Sequence, residues 1–496
     1  MSTKPSRGEL TDSDSENPSE ELTEVVCLES DLQDGQMMEV EVGHHGVLLT
    51  RSGGKYSAIG NQCTHYGAPL SKGFISGNRV RCPWHGSCFN VHTGDLEEYP
   101  GIDCLPCHKT LRQEKRIKRM GTAVPGVTHT VLLLGGGAAS LSCAETLRQE
   151  NFGGRIIMVT REDLLPYDKT RLSKVMNVES DSILMRRMEF FHQYDIEVWL
   201  RKEALSVDTD KKTVTFDDGS VQSYDQLLIS TGCRAKGLDV PGMNLGNIKM
   251  LETNEKKNTN TEFFLSHSVL FLKVKEVVLK SGKVIPAEVL IVGIGTMPNS
   301  EYLKDSKIQM TSKNFVKVDK YMHTNVPDVF CGGDLAMFPL AIAKNRMINI
   351  GHWQMAQAQG RIVALNMLNK TTELNSVPFY WTVLVGKTIR YTGYGEGYTE
   401  LVIKGQFEDR KFLALYIKDE EVIAAAGLNF DPAVSAVAER LATGKVITKD
   451  EAQYVKSFSL FYTLFLYSHL LIILVKLNLN NMTPERQCRE IYFCEK

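Results

Sequence analysis

Hydrophobic and polar residues alternate in short runs over residues 25–100, as in VEVGHHGVLLTR and KYSAIG, and Gly and Asn separate the runs. Alternation with a period of two is typical of strands that bury one face, and Gly and Asn are typical of the turns between them. We therefore expect a small all-β domain over residues 25–108.

The pattern changes at Val131, where VLLLGGGAASLSCAETLRQENFGGRIIMVT places an apolar strand, a glycine loop, a helix and a second strand in succession. This order is typical of a βαβ unit and predicts an α/β domain with a Rossmann-like fold. A smaller α+β domain is expected over residues 376–450, with strands at WTVLV, IRYTGYG, FLALYI and EVIAAAG. The predicted fold class is therefore multidomain, with an all-β domain, an α/β Rossmann-like domain and a C-terminal α+β domain.

Three further stretches are expected to lie outside these domains. Residues 1–24 are acidic and contain several Ser, Thr and Pro, which predicts a disordered leader unlike an Arg-rich transit peptide. Residues 109–128 begin with KTLRQEKRIKRM and predict a basic linker. Residues 456–496 form an atypical apolar tail, in which residues 458–475 carry no Asp, Glu, Lys or Arg. That run is long enough for contact with a membrane as an anchor, and a read-through extension explains it equally well.

The length, net charge and cysteine content limit the kinds of function that the chain is expected to have. The 496-residue chain is long enough for about two to four domains, and its formal net charge of -2 gives no sign of nucleic-acid binding. It has 11 cysteines and does not open with a secretory signal, so metal binding or redox chemistry is favoured over a disulfide framework. CLPCH at residues 104–108 fits haem attachment, a redox thiol pair and an ordinary strand end, of which the last is favoured.

One stretch, CTHYGAPLSKGFISGNRVRCPWHGSCF, carries two pairs of metal-ligand residues. Cys63 and His65 form the first pair, and Cys82 and His85 form the second. Each pair offers one thiolate and one imidazole, whereas zinc sites usually repeat C-x-x-C and H-x-x-x-H pairs. The spacing favours a [2Fe–2S] cluster with two Cys on one iron and two His on the other. Zinc and a stretch without metal are the alternatives.

The segments CTHYGAPL and CPWHGSCF resemble the two ligand boxes of the Rieske family. The resemblance covers roughly residues 25–105 and implies that the two Cys and the two His hold the cluster. Ser87, within the second box, is expected to donate a hydrogen bond to a cluster sulfide.

The segment GGGAAS at residues 135–140 fits the dinucleotide-binding pattern G-x-G-x-x-G/A except for the Ser at its end. Gly135 is expected to allow the tight turn, and Gly137 to let a pyrophosphate approach the N-terminus of the following helix. Glu162 follows the next strand at the distance expected of an acid that binds an adenosine ribose. A solvated loop acid is the alternative for Glu162.

Four further segments resemble flavoprotein reductases of the pyridine-nucleotide family: LLPYDKTRLSK, LLISTGCRAK, TNVPDVFCGGDLAMFP and IGHWQMAQAQG. The resemblance implies that Arg171, Lys174, Asp334 and Trp353 touch FAD. Lys174 is the predicted catalytic residue, because a lysine near a flavin stabilises its reduced, anionic form. Lys169 stands where the family usually has Arg.

Taken together, these segments resemble the apoptosis-inducing-factor-like Rieske flavoproteins. The resemblance implies an FAD-binding domain in two parts, residues 129–242 and 291–372, with a dinucleotide fold for NAD(P)H between them. Residues 243–290 are too few for that fold, because one βαβ unit alone takes about 30 residues. We therefore expect the NAD(P)H domain to be truncated to a remnant.

The predicted function is electron transfer from NAD(P)H through FAD to the [2Fe–2S] cluster and an unknown acceptor, and the family implies a link to apoptosis. The alternative is a redox-silent variant that lacks the NAD(P)H domain and acts through protein interactions. The predicted cofactors are the [2Fe–2S] cluster and FAD, with NAD(P)H as the candidate substrate. The resemblance implies a mitochondrial or cytoplasmic protein, and the sequence leaves the oligomeric state open.

Overall fold

The computed structural model describes residues 26–42, 45–107, 116–173, 179–243, 245, 247–250, 273–384 and 386–454. The predicted leader at 1–24, Lys174 and the apolar run at 458–475 lie outside the described residues. Within the described part of the chain, no helix is both long and apolar enough to cross a membrane.

Strands make up most of the regular structure that is described. The strands are β1 (Met37–Val42), β2 (His45–Ser52), β3 (Lys55–Gly60), β4 (Phe74–Ser76), β5 (Arg79–Arg81), β6 (Cys88–Asn90), β7 (Leu96–Glu98), β8 (Thr130–Leu134), β9 (Arg155–Val159), β10 (Ile196–Trp199), β11 (Ala204–Asp208), β12 (Thr213–Phe216), β13 (Val221–Ser223), β14 (Gln226–Ile229), β15 (Cys233–Ala235), β16 (Ile248–Lys249), β17 (Glu276–Val278), β18 (Val284–Pro286), β19 (Leu290–Ile291), β20 (Thr296–Pro298), β21 (Val316–Lys317), β22 (Val329–Cys331), β23 (Ala336–Leu340), β24 (Arg346–Ile348), β25 (Phe379–Leu384), β26 (Lys387–Gly393), β27 (Glu400–Gln406), β28 (Lys411–Lys418) and β29 (Glu421–Leu428). The α-helices are α1 (Ala138–Gln149), α2 (Met188–Gln193), α3 (Trp353–Met367), α4 (Ala433–Ala442) and α5 (Lys449–Tyr454).

The first domain is all-β, as the alternating pattern predicts. It contains an antiparallel sheet of order β1-β2-β3 and a second of order β4-β5-β6-β7. Leu48, Ile59, Leu70, Val80 and Phe89 are fully buried and form its core. Burial of each such side chain contributes about 1.5–3 kcal/mol, so these residues hold the two small sheets together.

The second domain is built on a parallel sheet of order β10-β9-β8-β14-β22. Strands β8, β9 and β14 are nearly continuous apolar runs, which is typical of a parallel sheet that is covered on both faces. Their central residues Leu132, Ile157 and Leu228 are fully buried. Helix α1 follows β8 directly and packs against α3. The smaller sheets β11-β12-β13, β15-β20 and β21-β23-β24 lie outside this central sheet.

The stretch between the two parts of this domain, residues 243–290, has little regular structure where it is described. β16 pairs with β19 over two residues, and β17 pairs with β18 over three. Apart from these short strands, the described residues of the stretch contain no helix. Several apolar side chains in and beside it are 40–74% exposed, namely Val278, Val284, Ile285 and Ile291.

The C-terminal domain is α+β, as predicted. Its antiparallel sheet has the order β25-β26-β29-β28-β27, and Val434 and Val437 of α4 pack into the same core as Leu413 and Leu415 of the sheet. The four strands predicted here are confirmed as β25, β26, β28 and β29. β27 was missed, because it is an edge strand whose residues are only partly buried and show no clear alternation.

Candidate metal centre and cofactor cavity

Two loops bring the four predicted metal ligands together. Cys63 and His65 follow β3, and Cys82 and His85 follow β5. The Nδ1 atoms of the two histidines are 3.0 Å apart, and their rings stand at 80° to each other. The two thiols are hydrogen-bond partners of one another. The ligands are therefore sorted into a pair of sulfurs and a pair of imidazoles, one pair for each of two irons.

The separation of the ligands into a sulfur pair and an imidazole pair is relevant to whether the site binds an iron–sulfur cluster or zinc. A structural zinc ion needs four ligands around a single point. Among the residues that the structure describes, no three His, Cys, Asp or Glu side chains form a group that could hold one metal ion. The separation of the ligands into a sulfur pair and an imidazole pair is the arrangement that the predicted [2Fe–2S] cluster needs.

Hydrogen bonds surround the two cysteine sulfurs. The hydrogen bond with Cys82 lowers the pKa of Cys63, and the backbone amides of His65 and Tyr66 and the side chain of Ser87 act in the same direction. The thiolate is the form that binds a metal, so these donors favour the ligand state of Cys63. The predicted role of Ser87 in donating to a cluster sulfide stays a prediction, and its position beside Cys63 is compatible with it.

Each ligand loop closes on a glycine. The amide of Gly67 donates to the carbonyl of Cys63 over 2.8 Å, and the amide of Gly86 donates to the carbonyl of Cys82 over 3.3 Å. Both glycines have a positive φ, 75° and 78°, which other residues adopt only with strain. A Cβ on Gly86 would also lie 2.8 Å from the ring of Phe379 in β25, so no side chain fits there.

A cavity of about 830 Å³ opens at the carboxyl ends of the parallel strands β8, β9 and β14. Open α/β sheets bind their ligands at this edge, and the volume is in the range of cofactor sites. The predicted FAD contacts that line it are Gly135, Gly137, Glu162, Asp334 and Trp353. Arg171, in contrast, donates from Nη1 to the carbonyl of Ser182 over 2.9 Å, and Lys174 lies outside the described residues.

The glycine loop leaves room for a phosphate at the N-terminus of α1. Gly135 has a φ of 120°, and a Cβ on it would lie 2.2 Å from the carbonyl oxygen of Ser230. Gly137 is the N-cap of α1, and a Cβ there would meet no atom within 4 Å. Ser140, the departure from the sequence pattern, is fully buried and hydrogen-bonds Ser230 through the two hydroxyls over 2.6 Å. The added hydroxyl therefore has a partner, and the loop keeps its shape.

Charged groups line the same cavity. Nζ of Lys169 donates to Oε1 of Glu162 over 2.8 Å, so Glu162 is an ion-paired acid at the rim. Burial raises the pKa of Asp334, and the positive charge of Lys169 opposes that rise. Carboxylates suit the hydroxyls of ribose and ribitol, and an ammonium suits phosphate, so the lining fits the parts of FAD.

Two aromatic residues connect the cavity with the metal centre. Trp381 of β25 lines the cavity, and its ring centroid is 5.0 Å from that of His85 and 6.0 Å from that of His65. His352 also lines the cavity, and its ring lies 4.9 Å from Trp381. Neither His352 nor Trp381 was predicted from the sequence to have a role. A single layer of aromatic side chains thus separates the cavity from the predicted iron ligands.

Family models match the chain in three successive regions. Residues 23–109 match the Rieske [2Fe-2S] domain, and residues 129–270 and 254–360 match the pyridine nucleotide-disulphide oxidoreductase family. Residues 379–458 match the reductase C-terminal domain. These matches agree with the all-β, α/β and α+β parts of the fold.

Curated relatives match most of the chain. Apoptosis-inducing factor 3 of Mus musculus is 39% identical over 526 residues, which cover 88% of this chain and 87% of the relative. The Homo sapiens protein of the same name gives the same identity and coverage. Rubredoxin-NAD(+) reductase of Pseudomonas putida is 24% identical over 374 residues, covering 60% of this chain and 95% of the relative.

Solved structures share the fold of the two reductase domains. The ferredoxin reductase for the CYP199A2 system from Rhodopseudomonas palustris has a TM-score of 0.61 and 22% identity, covering 67% of this chain and 99% of that one. The covalent putidaredoxin reductase-putidaredoxin complex has a TM-score of 0.62 and 19% identity, covering 66% of this chain and 97% of that one.

Proposed function

Because this chain belongs to the apoptosis-inducing factor 3 family and joins a Rieske [2Fe–2S] domain to a pyridine nucleotide-disulphide oxidoreductase domain, we propose that it passes electrons from NAD(P)H through FAD to its own cluster. Its cofactors are a [2Fe–2S] cluster and FAD. A separate one-electron acceptor then takes the electrons from the cluster. Bound FAD accepts two electrons together as a hydride and releases them singly, and the cluster carries them one at a time.

One observation carries this proposal: Trp381 contacts the rings of both predicted histidine ligands and also lines the cofactor cavity. Several proteins that this chain resembles are reductases named for rubredoxin or ferredoxin. Here the iron–sulfur domain is part of the same chain and lies against the cavity. The geometry therefore supports electron transfer within one molecule.

The cavity residues supply the binding site for FAD in this proposal. Gly135 and Gly137 leave space for the pyrophosphate at the N-terminus of α1. Glu162 would accept a hydrogen bond from the adenosine ribose, and Asp334 would accept one from the ribitol chain. Trp353 lines the same cavity and would contact the bound FAD, as the family resemblance implies. Arg171 and the catalytic Lys174 are assigned to FAD by family resemblance.

We propose that the NAD(P)H domain is truncated, which leads to a second candidate function. The alignment with the mouse relative spans 526 residues, whereas only 88% of the 496 residues of this chain take part, so part of the relative has no counterpart here. The apolar side chains exposed around 278–291 are expected if the part of the NAD(P)H domain that would pack against them is missing. A chain that cannot bind the nicotinamide would be a redox-silent variant that acts through protein interactions.

An anaerobic titration with NADH separates the two functions. If NADH bleaches the flavin absorbance and a Rieske signal develops in low-temperature EPR, the chain is a working oxidoreductase with an intact entry for hydride. If dithionite produces the EPR signal and NADH does not, the cluster is functional and the redox-silent candidate stands. The variant Cys82→Ser serves as the control, because it should lose the EPR signal under either reductant.

Family resemblance also supports a link to apoptosis and a mitochondrial or cytoplasmic location. Fractionation of cells that express the tagged full chain would decide the location. The same experiment tests the apolar run at 458–475, because a chain anchored by it would be recovered in the membrane fraction.

A further inference from the structure

A buried ion pair joins the second ligand loop to the C-terminal domain. Arg81 donates from Nε and Nη2 to Oε2 of Glu439 in α4, over 2.9 Å and 2.7 Å, and from Nη1 to the carbonyl of Gly86 over 2.9 Å. Arg81 and Glu439 are each 2% exposed. The hydroxyl of Ser435, one turn earlier in α4, donates to the carbonyl of Cys82 over 3.1 Å. Helix α4 thus contacts the start of the loop that carries Cys82 and His85, and Arg81 connects it to the end of that loop at Gly86.

A second buried ion pair joins the first, all-β domain, which carries the four predicted cluster ligands and is called the cluster domain below, to the α/β domain. Arg186 contacts Asp103 of the cluster domain over 2.9 Å and Glu145 of α1 over 2.8 Å. All three residues are less than 9% exposed. The hydroxyls of Tyr99 and Ser142 lie 2.9 Å apart in the same interface. Buried ion pairs therefore connect the cluster domain to both the C-terminal domain and the α/β domain.

These contacts fix one orientation of the cluster domain. A buried charge that loses its partner is strongly destabilising. A shifted domain that kept the interfaces closed would separate Glu439 and Asp103 from the arginines that they contact, whereas Arg81 would keep its ion pair with Glu98 and Arg186 its ion pair with Glu145. In the observed orientation, the two histidine ligands face Trp381 at the wall of the cofactor cavity. The approach to the cavity beside Trp381 is occupied by the chain's own cluster domain.

We propose that the cluster domain is locked in this position and that it excludes separate ferredoxin-type proteins from the flavin. The site beside Trp381 has one occupant, the Rieske domain of the same chain, and outside acceptors take electrons from the cluster domain instead. This inference rests on the proposed function for its electron-transfer consequence, while the lock itself depends on the contacts between the domains, among which the two ion pairs are the buried charged ones.

Hydrogen exchange of the FAD- and cluster-loaded full chain tests the lock without any turnover. Glu439→Gln removes the charge that Arg81 contacts in α4. We expect amide exchange in residues 79–88 and 433–442 to become about tenfold faster, because the interface opens more often. The matched control is Glu400→Gln, which removes the charge of an exposed ion pair with Lys449 in the same domain and should leave both segments unchanged. Unchanged exchange in Glu439→Gln would overturn the lock, and so would faster exchange of the same size in the control.

The second ion pair gives an independent variant. Asp103→Asn removes the charge that Arg186 contacts in the cluster domain. Asp103→Asn should accelerate amide exchange in α1 and in residues 96–104. This variant tests the lock even if Glu439→Gln does not yield a folded protein. Protection equal to that of the wild type in this variant would count against a lock on that side.

The exclusion of outside acceptors is tested by kinetics after photoreduction of the bound flavin, with a soluble [2Fe–2S] ferredoxin as the probe. The first electron should leave the wild-type flavin at a rate independent of ferredoxin concentration, because the chain's own cluster accepts it, and in Glu439→Gln the rate of this first step should rise with that concentration. A wild-type rate that rises in proportion to added ferredoxin would overturn the exclusion. If the wild-type cluster never receives an electron, the proposed function fails, and the exchange data still decide whether the domain is locked.

Discussion

Tyr66 donates a hydrogen bond of 2.6 Å to Oδ2 of Asp168, across the boundary between the cluster domain and the α/β domain. The ring of Tyr66 stacks on His65 at 4.0 Å and lies edge-on to His85 at 5.3 Å. Asp168 is held in turn by the amide and hydroxyl of Thr170. One side chain therefore touches both predicted histidine ligands and the segment that contributes Lys169 to the cofactor cavity.

The first prediction concerns this hydrogen bond. Tyr66→Phe keeps the stacked ring and removes the hydroxyl, which should weaken the contact by about 1 kcal/mol. We expect electron transfer from photoreduced flavin to the cluster to slow about fivefold, with the EPR spectrum of the cluster retained. Transient absorption of the two chromophores measures the rate. Tyr398→Phe, which removes a hydroxyl from a 46% exposed tyrosine of the C-terminal domain, should behave as the wild type.

The second prediction concerns Trp381. Trp381→Leu removes the aromatic ring between the cavity and His85, so electron transfer should slow on the order of tenfold while FAD and iron contents stay the same. Trp84→Leu is the matched control, because Trp84 also lies beside His85, at 6.3 Å, but does not line the cavity. Equal rates in the two variants would show that the connection does not pass through Trp381.

The third prediction separates the iron ligands from the other cysteine of the second loop. Cys82→Ser should abolish the Rieske EPR signal and lower the iron content, with FAD retained in its own domain. Cys88→Ala changes a fully buried cysteine of the same segment and should cost only about 1 kcal/mol of stability, with full iron content. Iron analysis and EPR decide the matter, and a cluster that survives in Cys82→Ser would refute the ligand assignment.

The fourth prediction is a pH dependence. Burial raises the pKa of Asp334, so folding of the FAD-free chain favours its protonated form. The contribution of this group to stability is therefore present at acid pH, below the ordinary pKa of Asp, and is lost as the pH rises through the raised pKa of the folded state. Asp334→Asn should be more stable than the wild type at neutral pH without FAD, and should bind FAD about tenfold more weakly.

Thermal unfolding across a pH series, with and without FAD, measures both effects. Asp305→Asn, at an exposed position, supplies the control for the loss of one carboxylate. A stability difference between Asp334→Asn and the wild type that does not change with pH would contradict the assignment of the effect to titration of Asp334.

Much of the site was accessible from the sequence because its chemistry is local. Cys63, His65, Cys82 and His85 lie within one 27-residue stretch. Because the two members of each pair are only two or three positions apart, the sequence already predicts that each pair lies on one loop. Gly135 and Gly137 are similarly defined by a single turn between strand and helix. Short-range patterns of this kind predict the elements and the ligands without knowledge of how the domains meet.

The residues that were missed depend on contacts between distant parts of the chain. Arg81 and Glu439 are 358 residues apart in sequence, and no periodicity relates an arginine in a strand to a glutamate in a later helix. Trp381 resembled an ordinary strand residue, since only the docking of the cluster domain places it beside His85.

The ring of Phe379, only 1% exposed, occupies the space that a side chain at Gly86 would need. This contact constrains how the protein can change over evolutionary time. A mutation that enlarges residue 86 would need a smaller residue 379 and would still carry the strain of the positive φ, so Gly86 and Phe379 should be retained together. For the same reason, a gene split between the Rieske and reductase parts would leave an aromatic ring at a new surface, which makes the fused arrangement hard to reverse.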